Sequence, residues 1–208
     1  MARILEYFVG GGADKGDLLS KVVGATNNIR DGALYHRSVE LSTPVQTEYA
    51  GHEDEAQILV SIQSALKRGD TVNLTGHSWG GGAAIRIAQK LKQQGQSVNI
   101  LITLDPVSLL PLTSPVGARI WVNVYQNQTL VDAIATVPVV GNAVAGIASA
   151  FSAPFADDAS DTIATLGGQL GYQNKANINK ETSLGHSESR AMYKLALAAL
   201  QAKGERSY

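Results

Sequence analysis

One stretch of the sequence reads Leu74-Thr75-Gly76-His77-Ser78-Trp79-Gly80-Gly81-Gly82. The run from Asp70 to Thr75, which leads into it, predicts a short buried strand. The residues that follow, Ala83 to Gln94, carry apolar side chains at the three-to-four spacing of a packed helix. A serine in the pattern G-x-S-x-G between a strand and a helix predicts a sharp turn that presents the hydroxyl at the edge of a sheet.

The glycines account for the sharpness of this turn. Gly76 and Gly80 let the strand and the helix cross at a distance where a Cβ atom would clash. The alternative interpretation is a chance match in a chain with 21 glycines, in which Ser78 only caps a helix. The strand before the motif and the helix after it favour the first interpretation.

Gly76-His77-Ser78-Trp79-Gly80 resembles the nucleophile elbow of the α/β-hydrolase family, and in particular of its lipases and esterases. The resemblance implies an α/β fold, with a mostly parallel sheet flanked by helices. It also implies one compact hydrolase domain over residues 1–208 that lacks the family's usual early strands.

Composition sets the outer limits of the function. The chain has 208 residues, of which 44% are hydrophobic and 17% charged, which is typical of one globular domain with a sizeable core. A net charge of −1, without a run of basic residues, gives no electrostatic basis for binding nucleic acid. The absence of cysteine excludes disulfides, a thiol nucleophile and cysteine-bound metal.

The N-terminal residues Met1 to Ile4 lead directly into a predicted strand, Ile4 to Val9. Because no basic and then apolar leader precedes this strand, we expect a cytoplasmic protein, with leaderless secretion left open.

A glycine loop, Gly10 to Gly12, follows that strand. A dinucleotide fingerprint would need glycine where Lys15 stands, and a P-loop would need Gly-Lys followed by Ser or Thr, so we expect no cofactor. In the family that the elbow resembles, such a loop supplies one backbone N–H of the oxyanion hole. The resemblance thus implies donors at Trp79 and at Gly11 or Gly12, while a plain glycine turn remains the alternative.

Periodicity and capping residues predict the other elements. They are a helix that begins at Asp17, a strand from Ala33 to Leu41, a helix from Glu53 to Leu66, strands from Val98 to Leu104 and from Trp121 to Gln126, and a final helix over residues 188–203. The cluster His52-Glu53-Asp54-Glu55 lacks a second histidine at Ala56, so it predicts a charged helix start and no metal site.

A serine nucleophile needs a neutral imidazole to take its proton and a carboxylate to orient that imidazole. His186, in a loop just before the last helix, is the expected base, and His77 and His52 are weaker rivals. Asp105 is the expected acid because it ends the apolar strand Val98 to Leu104, at the face where parallel sheets place their sites.

The acid has a named alternative. Most α/β-hydrolases carry it after the next strand, which here points to Asp132. Leu104-Asp105-Pro106 instead resembles the acid-bearing turn of pancreatic-type lipases. Asp132 therefore stays open, as does an acidic patch at Asp157, Asp158 and Asp161.

The segment 127–171 is expected to be an insertion. Within it, residues 133–156 carry no charge, but Pro138, Pro154 and several glycines argue against a transmembrane helix. A buried helical hairpin and a mobile apolar lid both remain open, and the resemblance to lipases favours the lid.

These features lead us to expect a serine hydrolase that cleaves carboxylic esters through an acyl-enzyme, with a lipid or other acyl ester as its small-molecule substrate. The chain resembles compact bacterial lipases and leaderless lipase effectors, and phospholipase activity is left open. Transient contact with a lipid interface would accompany such an activity. An acyltransferase or thioesterase with the same triad and a non-catalytic binding module are the alternatives. The oligomeric state is left open.

Overall fold

A computed structural model of the chain describes residues 3–11, 28–40, 45–109, 111–126 and 168–206. Six strands and four α-helices are formed by these residues. In chain order they are β1 Ile4–Gly10, α1 Asn28–Glu40, β2 Gln46–Gly51, α2 Glu55–Lys67, β3 Thr71–His77, α3 Trp79–Gln93, β4 Val98–Leu104, β5 Ala118–Gln126, β6 Ile178–Thr182 and α4 Ser189–Ala202. A single 3₁₀ turn, His52–Asp54, precedes α2.

The strands form one parallel sheet in the order β2-β1-β3-β4-β5-β6. Helices α2 and α3 pack on one face, where Ile62 and Ile85 belong to the same cluster as Leu74. Helices α1 and α4 pack on the other face, where Ile29 and Met192 belong to the same cluster as Phe8. The predicted α/β architecture, a mostly parallel sheet flanked by helices, is confirmed.

The order of the strands determines where a site can form. The chain runs from β1 outward to β2 and then returns to the other side of β1 to build β3 to β6. Parallel sheets bind ligands at such a reversal, in the crevice beyond the carboxyl ends of the strands. Gly10, at the end of β1, and His77, at the end of β3, lie at this point.

The strands and helices around the elbow lie where the sequence predicted them, as do β4, β5 and α4. The predicted strand from Ala33 to Leu41 is wrong, because residues 28–40 form α1. Its buried positions Ile29, Ala33, His36 and Arg37 recur at helical spacing. Because His36 and Arg37 are polar, the apolar residues alone do not show a helical period in this segment.

Strands β2 and β6 were not predicted, and both lie at an edge of the sheet. Most of their side chains are only partly buried, so neither sequence shows an apolar alternation.

Several predictions fall outside the described residues. These are the helix that begins at Asp17, Gly12, Asp132, the acidic patch and all of the insertion except residues 168–171. In the part of the chain that is described, no helix has the length and apolar character to cross a membrane.

Candidate active site

Ser78 occupies the turn between β3 and α3 in a strained backbone conformation. Its φ is 57° and its ψ is −128°, a left-handed region that residues with a side chain rarely adopt. The Ser78 carbonyl accepts hydrogen bonds from the N–H groups of Gly81, Gly82 and Val107, at 2.9, 3.2 and 2.9 Å. These bonds fix the backbone of the turn that carries Ser78.

Two glycines are required by the close crossing of strand and helix. A Cβ atom on Gly76 would lie 2.3 Å from the carbonyl oxygen of Gly80, and one on Gly80 would lie 2.1 Å from that of Val9. Both contacts involve backbone atoms that cannot rotate away. The predicted reason for the glycines of the elbow is therefore confirmed.

His186 lies in the loop between β6 and α4 and is buried. Its Nε2 atom is 2.8 Å from Ser78 Oγ, within hydrogen-bonding distance. An imidazole at this distance can take the hydroxyl proton during attack on a carbonyl carbon.

Asp105 follows β4 directly and is fully buried, with a positive φ of 43°. Its Oδ2 atom is 2.6 Å from His186 Nδ1, and its Oδ1 atom accepts the backbone N–H of Gln126 at 3.0 Å. Burial alone would raise the pKa of Asp105, but the hydrogen bond and charge of His186 and the bonds from Gln126 and Gln169 outweigh it and lower that pKa. The lowered pKa favours the carboxylate form of Asp105, which is placed to accept a hydrogen bond from His186 Nδ1.

Gln169 is a member of the site that the sequence did not reveal. Its side-chain amide nitrogen lies 2.5 and 2.6 Å from the two carboxylate oxygens of Asp105. An isolated antiparallel bridge between Val107 and Gln169 holds this segment beside the strand ends. Gly168, at φ +82°, makes the turn, and the glycines around it were the available signal.

Of the three predicted oxyanion donors, the structure describes Gly11 and Trp79. Gly11 is buried against Ser78, since a Cβ atom there would lie 2.9 Å from Ser78 Cβ and 3.3 Å from its Oγ. Trp79 begins α3, whose N-terminus favours negative charge. Gly12 lies outside the described residues.

The rival bases have other partners. His77 directs Nε2 to the carbonyl oxygen of His186, at 2.7 Å, and burial, with a smaller contribution from His186, lowers the pKa of His77 to about 3. His52 pairs with Glu53 at 3.2 Å, and its ring centroid is 6.2 Å from that of Trp79. Within the described ranges, no three histidine or carboxylate side chains are grouped as metal ligands.

A serine elbow at the top of a parallel sheet, followed along the chain by an aspartate and then a histidine, is the arrangement of the α/β-hydrolase fold. The structure thus brings Ser78, Asp105 and His186 together, while Asp132 lies in the part of the chain that is not described.

No protein-family model and no curated protein matches the sequence. One similar solved structure is a protein of Xanthomonas campestris pv. campestris described as a hydrolase of the α/β superfamily, 14% identical over 95% of this chain and 98% of its own, with a TM-score of 0.45. Another is ClbQ from the colibactin NRPS/PKS pathway, 11% identical over 98% of this chain and 100% of its own, with a TM-score of 0.39. At these values, neither protein's activity transfers to this chain.

Proposed function

We propose that this protein is a serine hydrolase that cleaves carboxylic esters through an acyl-enzyme intermediate. The observation that carries the proposal is the chain of hydrogen bonds from Ser78 Oγ through His186 to Asp105, at 2.8 and 2.6 Å. Buried side chains in this order form a nucleophile, a base and an orienting acid.

In the first half of the reaction, Ser78 Oγ attacks the ester carbonyl carbon while His186 Nε2 takes the hydroxyl proton. The tetrahedral intermediate then collapses, the C–O bond to the alcohol breaks, and His186 returns the proton to the leaving oxygen. In the second half, His186 takes a proton from water as the water oxygen attacks the acyl-enzyme. The second tetrahedral intermediate then collapses, the bond from Ser78 Oγ to the acyl carbon breaks, and His186 returns the proton to Ser78 Oγ as the acid is released. Asp105 stabilises the imidazolium in both halves.

The oxyanion of each tetrahedral intermediate needs backbone donors. The N–H of Trp79 and one N–H of the glycine loop, at Gly11 or Gly12, are the donors we propose. The position of Gly11 against Ser78 and that of Trp79 at the N-terminus of α3 support this assignment. Each such donor typically contributes about 10²- to 10³-fold to turnover.

A lipid or another long acyl ester is the substrate class we propose. The uncharged segment 133–156 supports this substrate class. It follows β5 in the sequence, and β5 runs parallel to the strands that end at His77 and Leu104, next to Ser78 and Asp105. Transient contact with a lipid interface would accompany such a substrate, as in a lipase or phospholipase.

The direct test is release of p-nitrophenol from a series of acyl esters, from acetate to palmitate, with mass spectrometry after labelling by a p-nitrophenyl phosphonate. We expect the wild type to turn over and to carry one phosphonate on Ser78, and Ser78→Ala to lose about 10⁶-fold in kcat. Ser114→Ala, which changes an exposed serine on a loop, is the matched control. A folded wild type that neither turns over any ester nor takes up the label would end the proposal.

The same assay decides the finer points. Preference for the long esters supports a lipase, and preference for acetate would remove the lipid proposal while leaving the esterase. Hydrolysis is separated from acyl transfer by adding an excess of an alcohol or a thiol and counting the free acid against the new ester or thioester.

A further inference from the structure

The imidazole of His77 lies against the imidazole of His186. The two ring centroids are 4.9 Å apart, and the ring planes are inclined by 35°. His77 is also buried and directly precedes the nucleophile along the chain. This side chain takes no part in the reaction steps above.

Among the described residues, the His77 ring makes one hydrogen bond, and it is directed at His186. Its Nε2 atom is 2.7 Å from the backbone carbonyl oxygen of His186. A carbonyl oxygen can only accept, so Nε2 carries a proton, and in the neutral ring Nδ1 then carries none. Nδ1 has no hydrogen-bond partner among the described residues, so the only hydrogen bond of the ring within this part of the chain is the one to His186.

Two hydrogen bonds of the loop that carries His186 are local. Leu184 N–H donates to Thr182 Oγ1 at 3.1 Å, and Gly185 N–H donates to Glu188 Oε2 at 2.7 Å. These bonds shape the loop, but they join it to itself. The bond from His77 joins it to β3, the strand that ends at Ser78.

We propose that His77 is a positioning residue, whose Nε2–H holds the His186 carbonyl and whose ring supports the His186 imidazole, so that His186 stays aligned between Ser78 and Asp105. The proposal rests on the hydrolase function of the same site. The residue before the nucleophile thereby sets the distance from base to nucleophile.

The charge state of His77 fits this role. Burial first, and then electrostatic interaction with His186, lower the pKa of His77 to about 3, against the smaller opposing effects of the His186 carbonyl and of Asp105. His77 is therefore neutral at the pH at which the site works. A neutral ring can lie against the imidazolium that forms on His186 without repelling it.

Three substitutions separate the hydrogen bond from the ring. His77→Gln keeps an N–H donor close to the position of Nε2, His77→Asn shortens the amide so that its donor falls short of the His186 carbonyl, and His77→Phe keeps a ring but has no donor. We expect Asn and Phe to lower kcat by roughly 10- to 100-fold, as a displaced base does. Gln should keep most of the wild-type kcat, and KM should be unchanged in all three because His77 lies behind the base.

Each kcat is divided by the number of active sites titrated with the phosphonate. A merely structural role would lower the number of titratable sites and leave kcat per site at the wild-type value in every variant. That result would overturn the proposal, as would Gln and Asn variants with equal kcat per site. If His77→Phe does not fold, the comparison of Gln with Asn decides alone.

A readout that does not need turnover separates this proposal from the proposed function. The chain has four histidines, so ¹⁵N NMR of the imidazoles can be assigned by single substitutions. We expect the Nδ1–H resonance of His186, which reports its bond to Asp105, to broaden or shift in Asn and Phe variants and to persist in Gln. An unchanged resonance in all three would refute the positioning role even if the wild type hydrolyses esters, and an inactive wild type would leave this test intact.

Discussion

The hydrogen bonds of the Asp105 carboxylate lead to a prediction for a single substitution. Both of its oxygens accept hydrogen bonds, from His186 Nδ1, Gln126 N–H and Gln169. An asparagine would have to turn its NH₂ group towards one of these donors. Asp105→Asn should therefore favour the wrong tautomer of His186 and lower kcat by about 10⁴-fold in the ester assay.

Asp132→Asn is the control for that prediction, since Asp132 was the alternative acid from the sequence. It should retain wild-type kcat. Loss of activity in Asp132→Asn, with a fully active and folded Asp105→Asn, would move the acid to Asp132.

Gln169 gives a second prediction for a single side chain. Gln169→Leu removes the donor to Asp105 and should lower kcat modestly. Gln169→Glu places a second carboxyl about 2.6 Å from Asp105, where two negative charges cannot coexist, so one proton is shared at a raised pKa. Below that pKa the protonated carboxyl at position 169 of the variant can donate a hydrogen bond to Asp105, as the glutamine amide does. Above that pKa both carboxylates are charged, and their repulsion displaces Asp105.

The measurement for Gln169 is kcat as a function of pH. The activity of the Gln169→Glu variant should fall relative to that of the Gln169→Leu variant as the pH rises. If kcat changes with pH in the same way in both variants, Gln169 does not contact Asp105 during turnover.

Three residues of the site were predictable because each stands at a recognisable boundary. Ser78 lies in a strand-to-helix glycine motif, Asp105 ends an apolar strand, and His186 precedes the last helix. Gln169 and the bond from His77 to His186 were not predictable. Gln169 contacts a residue 64 positions away, and His77 contacts one 109 positions away. No spacing in the sequence marks either contact.

At the level of secondary structure, the elbow depends on how closely β3 and α3 approach β1. Gly80→Ala puts a Cβ atom 2.1 Å from the carbonyl oxygen of Val9. We expect this variant to lose about 3 kcal/mol of unfolding free energy, the upper part of the range for overpacking, and to lose turnover in its folded fraction. Urea unfolding and the ester assay are the measurements.

Gly95→Ala is the control for this prediction. Gly95 has open space around its Cα but a φ of +71°, so alanine there should cost about 1 kcal/mol from backbone strain alone and leave kcat unchanged. If the two variants have equal stability, the close approach of β1 and α3 does not require glycine.

The elements that the sequence predicted are those with a strong apolar period. Strands β3 and β4 are in the middle of the sheet and almost wholly buried, and α3 has a broad buried face. Strands β2 and β6 are edges, for which partly polar sequences suffice. Helix α1 was missed because it buries His36 and Arg37, the latter in an ion pair of 2.7 Å with Glu6 of β1.

For the whole molecule, burial of the site links the stability of the fold to pH. The folded chain holds His77 neutral, with a pKa of about 3, while the unfolded chain releases it to about 6.5. Between these values the unfolded state binds a proton that the folded state does not. The stability from neutral His77 is therefore complete above pH 6.5 and is lost progressively as the pH falls towards 3.

Wild type and His77→Gln should consequently diverge in acid. One such group changes the unfolding free energy by about 1.4 kcal/mol per pH unit, so between about pH 6.5 and pH 4.5 the wild type should lose about 2 to 3 kcal/mol more than the variant. The raised pKa of Glu6, due first to burial, acts in the opposite direction, but it is common to both proteins and cancels in the difference. Urea unfolding at several pH values measures this difference. Curves that stay parallel would contradict the depressed pKa of His77 and would mean that its ring is protonated in the folded state.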